Sequence, residues 1–316
     1  MNEELKIMDN LPLVSVIIPN YNHARYLEQR LDSVFRQTYQ NYEVIILDDC
    51  SSDNSLEIIE KYKDDSHLSR IVVNETNSGS PFKQWNKGFS LAKGDLVWIA
   101  ESDDFCELSF LEEMVPTLIS DSDVVLAFTS YVWYNEESDT YARPKVGGVA
   151  YYSGARFIKT RMARECYIHN ASGVVFRRNV LENLSDDYLK FIQCGDYMFW
   201  THLCEQGRIA VVNRNLSYYR LHASSVTSQN AHSGIVAFED KKVFDYINNK
   251  FHLSLFQRQL AFAYKYRAYT KYVKFGSDDL RQEALRIWGL KKRNMKIDSF
   301  FMWFVESVCR HTGLLI

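Results

Sequence analysis

Two acidic pairs mark where chemistry could occur: Asp48-Asp49 within DDCSSD (48–53) and Asp103-Asp104 within ESDD (101–104). Adjacent carboxylates repel one another unless a cation or hydrogen-bond donor comes between them. A divalent ion resolves that repulsion and can also hold phosphate oxygens; hard oxygen ligands suit Mg2+ or Mn2+. The competing reading is a solvated turn with helix-capping aspartates. It weakens here because each pair follows an apolar run that reads as a strand. A third acidic residue, Asp196, stands just ahead of an apolar stretch with Phe199, Trp200 and Leu203. On its own, an aspartate there reads as a helix N-cap.

These residues need a scaffold. LVSVII (13–18), YEVIIL (42–47), RIVV (70–73) and DLVWIA (95–100) are apolar, β-branched runs of strand length, as expected of parallel strands covered on both faces. Between them, Leu27, Leu31, Val34 and Phe35, then Leu56, Ile59 and Tyr62, then Trp85, Phe89 and Ala92 fall at helical spacing. Asp53 or Asn54 can cap the second of these helices. Strand and helix in alternation predict an α/β sheet, and such sheets bind ligands at the carboxyl ends of their strands. PNYN (19–22), DDCSSD and ESDD all lie at such ends. Further on, a helix is expected over 109–119, a strand over 124–134, a turn or loop over 135–150, a helix over 153–162 and a strand over 171–177. From about residue 235 the pattern is helical.

The bulk numbers narrow the class. A chain of 316 residues with 46% hydrophobic and 24% charged residues can bury a sizeable core. A net charge of -3 makes no electrostatic case for nucleic acid. The six cysteines form no C-x-x-C pair and read as reduced, and MNEELKIMDN is no signal peptide. No run of about 18 apolar residues is present, so the expectation is a cytoplasmic protein, at most peripheral on a membrane. Neither G-x-G-x-x-G after the first strand nor G-x-x-x-x-G-K-[ST] occurs, which removes the main support for dinucleotide dehydrogenases and P-loop enzymes.

The series VSVIIPNYNHARYLEQRLDSVFRQTYQNYEVIILDDCSSDNS followed by NETNSGSPFKQWNKGFSLAKGDLVWIAESDD resembles the inverting family 2 glycosyltransferases. The resemblance covers residues 12–105 strongly and continues with weaker motifs to about 228. It implies a GT-A fold, α/β with a mixed, mostly parallel central sheet flanked by helices. It also implies transfer of a sugar from a nucleotide-diphosphate donor, with UDP favoured, to a glycan, lipid-linked or other hydroxyl acceptor in envelope or exopolysaccharide synthesis. On this resemblance Pro19 and Tyr21 hold base and ribose, and Asp49 accepts a hydrogen bond from the uracil ring. Lys83 lies near the nucleotide, although its loop departs from the common N-x-G-x-x-x-A-R-N form. Asp103 faces ribose or metal, and Asp104 binds Mn2+ or Mg2+ directly. The GD-x-x-F-W segment matches the one that carries the family's catalytic base, which makes Asp196 the group that deprotonates the acceptor. In SYYRLHASSVT (217–227), His222 matches a residue that reaches metal or diphosphate, and Arg220 and Ser225 are placed to contact phosphate. The remaining histidines, His23 among them, read as structural.

Two rival functions are a sugar-phosphate nucleotidyltransferase and a non-catalytic nucleotide-sugar-binding module. The first would want a glycine-rich, basic loop after strand one, and PNYNHARYLEQ has no glycine; the second would have lost its carboxylates. The expected division is a catalytic domain over 1–230, with a nucleotide-binding half (12–105) and an acceptor-side half (106–230), and a helical extension over 231–316. The aromatic, basic helices of that extension have three open roles: packing on the catalytic domain, a homo-oligomer interface, or contact with an anionic membrane surface.

Overall fold

The structure, a computed structural model, describes residues 11–135, 146–222, 230 and 232–312. Contacts divide the chain into two compact units that interleave along the sequence. The first takes residues 1–151, 170–184 and 206–221; the second takes 152–169, 185–205 and 222–316.

The first unit is built on a nine-stranded sheet. Strands β1 (Val14–Asn20), β2 (Tyr42–Asp48) and β4 (Leu96–Ile99) are buried at every position, which explains their unbroken apolar sequence. With β3 (Leu68–Val73) they form a parallel array in the order β3-β2-β1-β4. Register places Asn20 opposite Asp48 and Ile17 opposite Ile99. The carboxyl ends of β1, β2 and β4 therefore share one edge, and the polar clusters that follow them gather there. Helices α1 (Ala24–Phe35), α2 (Ser55–Glu60) and α3 (Pro81–Leu91) connect these strands. Helix α3 lies so close to β1 that a Cβ on Gly88 would sit 2.4 Å from Cγ2 of Ile17; that approach brings the first turns of α3 to the strand ends. Of the two residues expected to cap the second helix, Asn54 makes no side-chain cap bond. The Asp53 carboxylate instead accepts the amides of Ser55, at 3.0 Å, and of Ala24 at the start of α1, at 2.9 Å.

The sheet continues through β8 (Val174–Arg177), antiparallel to β4, then β6 (Val124–Tyr134), β9 (Arg208–Arg220) and the short β5 (Phe105–Cys106). Helix α4 (Phe110–Ile119) precedes β6. Besides the two-residue β5, two strands were not anticipated. One is β9, paired in parallel with β6 along its length; the other is β7 (Val146–Ser153), which pairs with β9 where a turn or loop was expected. Strand β9 is only partly buried, and its pairing shifts register at Thr129/Ser130 and Ser130/Tyr131. Its short apolar run IAVV (209–212) passes into polar residues, and no clean period of two continues it.

The second unit is helical. Helix α5 (Gly154–Phe157) runs into a π-turn, and α6 (Gly195–Cys204) begins beside Asp196. Helices α7 (Ile235–Phe251), α8 (Leu255–Arg267), α9 (Asp278–Ile287) and α10 (Met295–Thr312) complete it. Phe244, Phe262 and Trp288 pack ring to ring, and the Trp288 indole donates to Ala237 O at 2.9 Å. Beneath them, Lys265 Nζ lies 2.6 Å from both carboxylate oxygens of Asp240, and the Tyr269 hydroxyl donates to the same group at 2.7 Å. A buried pair satisfied this fully is costly to break on one side alone.

Candidate active site

The end of β1 and the turn after β2 are tied together by side chains. Asn20 Nδ2 donates to Asp48 Oδ1 at 2.9 Å, and Asn22 Oδ1 accepts the Ser52 amide at 2.7 Å. Asn22 and Cys50 adopt positive φ, 54° and 63°, a conformation that the surrounding bonds must sustain. Asp49 is buried and accepts four hydrogen bonds. Asn74 Nδ2, the Ser78 amide and Gln84 Nε2 donate to Oδ1, and the Ser78 hydroxyl donates to Oδ2. A carboxylate has about four lone-pair sites. Here three bonds converge on one oxygen, so Oδ2 is the better placed to accept another donor. Lys87 extends this network to Asn74. Lys83, the residue expected near the nucleotide, is exposed and donates to Ser78 O at 3.0 Å. Pro19 is a buried strand residue opposite Leu47, whereas the Tyr21 ring is 46% exposed.

The ESDD segment follows β4 and crowds carboxylates around a buried guanidinium. Arg30 has no exposed surface; its Nε donates to Glu101 O at 2.8 Å, and among the described residues its other two nitrogens meet no oxygen acceptor. Burial first, then the charge of Asp103, push Glu101 up to about 8. The same two causes, in the same order, raise Asp104 to about 7. Such shifts mean that the three carboxylates cannot all ionise without further positive charge. Asp104 is 2% exposed, and its Oδ1 accepts the Arg220 amide at 2.9 Å. Through that oxygen the group pins the end of β9 to the turn after β4. Asp103 is the half-buried member of the pair, and one of its carboxylate oxygens lies within 4.8 Å of a ring nitrogen of His23. Nδ1 of His23 is 2.8 Å from the Ser102 hydroxyl. A proton on that nitrogen would leave Nε2 with its lone pair for a ligand.

The Nε of Arg220 donates to Asp103 O at 2.7 Å, and its guanidinium lies 4.7 Å from the Tyr26 ring centroid and 4.9 Å from that of Tyr134. At 3% exposure it braces the Asp103 backbone. His222 is half-buried and lies two residues beyond the end of β9, so the chain cannot carry it more than about 7 Å from the Cα of Arg220. Ser225 lies outside the described residues.

In the second unit, Asp196 occupies the first turn of α6, whose N-cap position is Cys194 without a side-chain cap bond. Asp196 is therefore not the N-cap of this helix. Its Oδ1 accepts the Tyr197 amide at 2.7 Å. Burial pushes the carboxyl up to about 7, against the pull of the Tyr197 amide, with a smaller upward push from Glu239. Glu239, from α7, accepts three consecutive amides, those of Ile192, Gln193 and Cys194, at 2.7, 2.8 and 2.9 Å. The loop that delivers Asp196 is thus held by a carboxylate 46 residues away along the chain, at a position where local sequence shows nothing unusual. Arg30 and Glu239 were not singled out from sequence, and His23 was set aside as structural. Their partners are remote in the chain, so no local spacing marks them.

A family model described as "Glycosyl transferase family 2" matches residues 15–185. A glycosyltransferase of Nostoc sp. PCC 7120 is 28% identical over 67% of this chain, and the match spans 66% of that protein, just under two thirds of its length. WfaP of Escherichia coli, a UDP-Glc:alpha-D-GlcNAc-diphosphoundecaprenol beta-1,3-glucosyltransferase, is 32% identical over 69% of this chain and 81% of its own. Among solved structures, residues 1–349 of Staphylococcus aureus TarS with UDP-GlcNAc align at a TM-score of 0.67 with 20% identity, covering 87% of this chain and 80% of that one. That likeness is one of fold, the mixed, mostly parallel sheet of GT-A glycosyltransferases. By the family match over residues 15–185 and the 32% identity to WfaP, the chain belongs to glycosyl transferase family 2.

Proposed function

We propose that the protein transfers a sugar from a nucleoside-diphosphate donor, UDP-linked by preference, to a hydroxyl of a glycan or lipid-linked acceptor, with inversion at the anomeric carbon. The observation that carries this reading is the carboxylate crowding after β4. Glu101 and Asp104 share one buried guanidinium, the charge of Asp103 raises both, and the group calls for added positive charge; Asp103 and His23 present an oxygen and an imidazole nitrogen within 4.8 Å of each other. A carboxylate and an imidazole suit Mn2+ and are compatible with Mg2+. Asp103 and His23 would hold the ion, with His222 a further candidate from its place in the chain. Such an ion supplies charge neutralisation on the leaving diphosphate. Asp104 and Arg220 keep Asp103 in place from below.

The base and ribose fall to the loops around Asp49 and Tyr21. Asp49 Oδ2 has capacity for one more donor, such as a uracil ring N–H. Asp196 takes the proton of the incoming hydroxyl. A carboxyl with a pKa of about 7 is well matched to that task at neutral pH. The names of WfaP and of the TarS complex, one with a UDP-sugar and a diphosphoundecaprenol-linked acceptor and the other with UDP-GlcNAc, support the choice of uridine and of a lipid-linked acceptor. A panel of nucleotide sugars with Mn2+, scored by protection against thermal unfolding, tests the donor. The true donor raises the melting temperature most. Equal protection by all members, or consumption of a nucleoside triphosphate with a sugar phosphate, would refute the assignment.

A further inference from the structure

Helix α10 (Met295–Thr312) buries one face and leaves the other bare. Met302 and Val305 pack with Leu260 and Ala263 of α8, Phe301 meets Phe256 edge to face, and Asp298 pairs with Arg293. On the opposite side Ile297, Phe300, Trp303 and Phe304 are 68%, 66%, 56% and 53% exposed. At about 100° per residue these four side chains fall within an arc of roughly 120°, centred nearly opposite the buried set. Leu255 and Phe256, where α8 starts, are also exposed. A contiguous patch of large apolar groups on a monomer marks an interaction surface. Lys291 and Lys292, just before α10, and Lys296, in its first turn, are exposed; among the described residues no carboxylate makes a close ion pair with any of them, and Glu283 acts on Lys291 only at longer range.

We propose that this face of α10 lies on an anionic lipid bilayer. The charge decides the occupant. A two-fold contact with a second copy would bring the patch against itself and set lysines against lysines. A bilayer with anionic headgroups accepts the aromatic groups at its interface and answers the lysines together. No described helix is long and apolar enough to cross a membrane, so α10 lies on the surface rather than through it. The second unit also carries Asp196, so docking would hold the unit that bears the proposed base at the membrane. The docking itself does not depend on the transfer chemistry.

The test uses the full chain without donor or acceptor, sedimented with vesicles of phosphatidylcholine alone or of two parts phosphatidylcholine to one part phosphatidylglycerol. The protein pellets with the anionic vesicles and not the neutral ones, and added salt weakens the binding. Combined Phe300→Ser, Trp303→Ser and Phe304→Ser reduces binding tenfold or more. Lys291→Gln, Lys292→Gln and Lys296→Gln each weaken it by roughly fivefold at low salt. All these side chains are exposed, so an unchanged melting temperature shows that the variants fold. No pelleting by the wild type would overturn the proposal, as would pelleting of the aromatic triple variant at the wild-type level. So would a dimer in light scattering that the same triple substitution dissociates while the wild type ignores vesicles.

Discussion

Replacing Asp196 by Asn removes one negative charge from the first turn of α6 and leaves an amide oxygen that can still accept the Tyr197 N–H. The carboxyl is raised from 3.8 to about 7, chiefly by burial. The folded state therefore holds this proton where the unfolded chain has lost it. The stability so contributed is fully present below about pH 4 and is lost as pH rises through about 7. A shift of about 3 units corresponds to about 4 kcal/mol, an upper bound on the cost of ionising the group at pH 8. Asn does not titrate and avoids this cost. Asp196→Asn should match the wild type in stability near pH 3.5, already exceed it at pH 5, and exceed it at pH 8 by about 1–4 kcal/mol, read from denaturant melts at the three pH values. Catalysis should move the other way. With a pKa of about 7, wild-type kcat at saturating donor and Mn2+ rises about tenfold between pH 6 and pH 8, whereas the Asn variant loses about 10²–10⁴ at pH 8 with donor affinity intact. A flat wild-type profile, or an Asn variant that turns over within about tenfold of the wild type, would refute the base assignment. An Asn variant less stable than the wild type at pH 8 would show instead that the carboxylate is ionised and stabilising there.

Asp103→Asn should abolish the extra thermal protection that Mn2+ adds to the donor while leaving the apo melting temperature nearly unchanged. Asp104→Ala should cost about 1–3 kcal/mol of stability, because the buried Arg220 amide loses its acceptor. Glu239→Ala strips three amides of their acceptor and should cost about 3 kcal/mol or more by chemical denaturation. Glu239→Gln, which keeps an acceptor but loses the charge, should move the kcat profile toward lower pH because Glu239 raises Asp196. Lys265→Met leaves Asp240 buried with only Tyr269 to donate to it and should destabilise by about 3–5 kcal/mol, also measured by denaturant melts.

What the sequence alone determined follows from short-range physics. A fully buried parallel strand must be apolar along its length, so VSVII, YEVIIL and LVWI declare themselves, and the polar residues after them mark the binding edge. Helical periodicity likewise revealed the elements between those strands and the helical tail. What only the tertiary structure decided is which side of each polar cluster faces inward. Of the adjacent pair Asp103-Asp104, one carboxylate is half-buried beside His23 and the other is buried under the Arg220 amide, a distinction set by a strand 116 residues later. Local spacing likewise does not show that the rings of Tyr26, Phe105 and Tyr134 enclose Arg220. Strand β9 escaped notice because its short apolar run at 209–212 passes into half-exposed residues without a regular period; its extent rests on pairing with β6. Residue type and spacing report the forces a segment exerts on its near neighbours. Burial, and with it the ionisation of Glu101, Asp104 and Asp196, depends on groups that the chain brings together only when it folds.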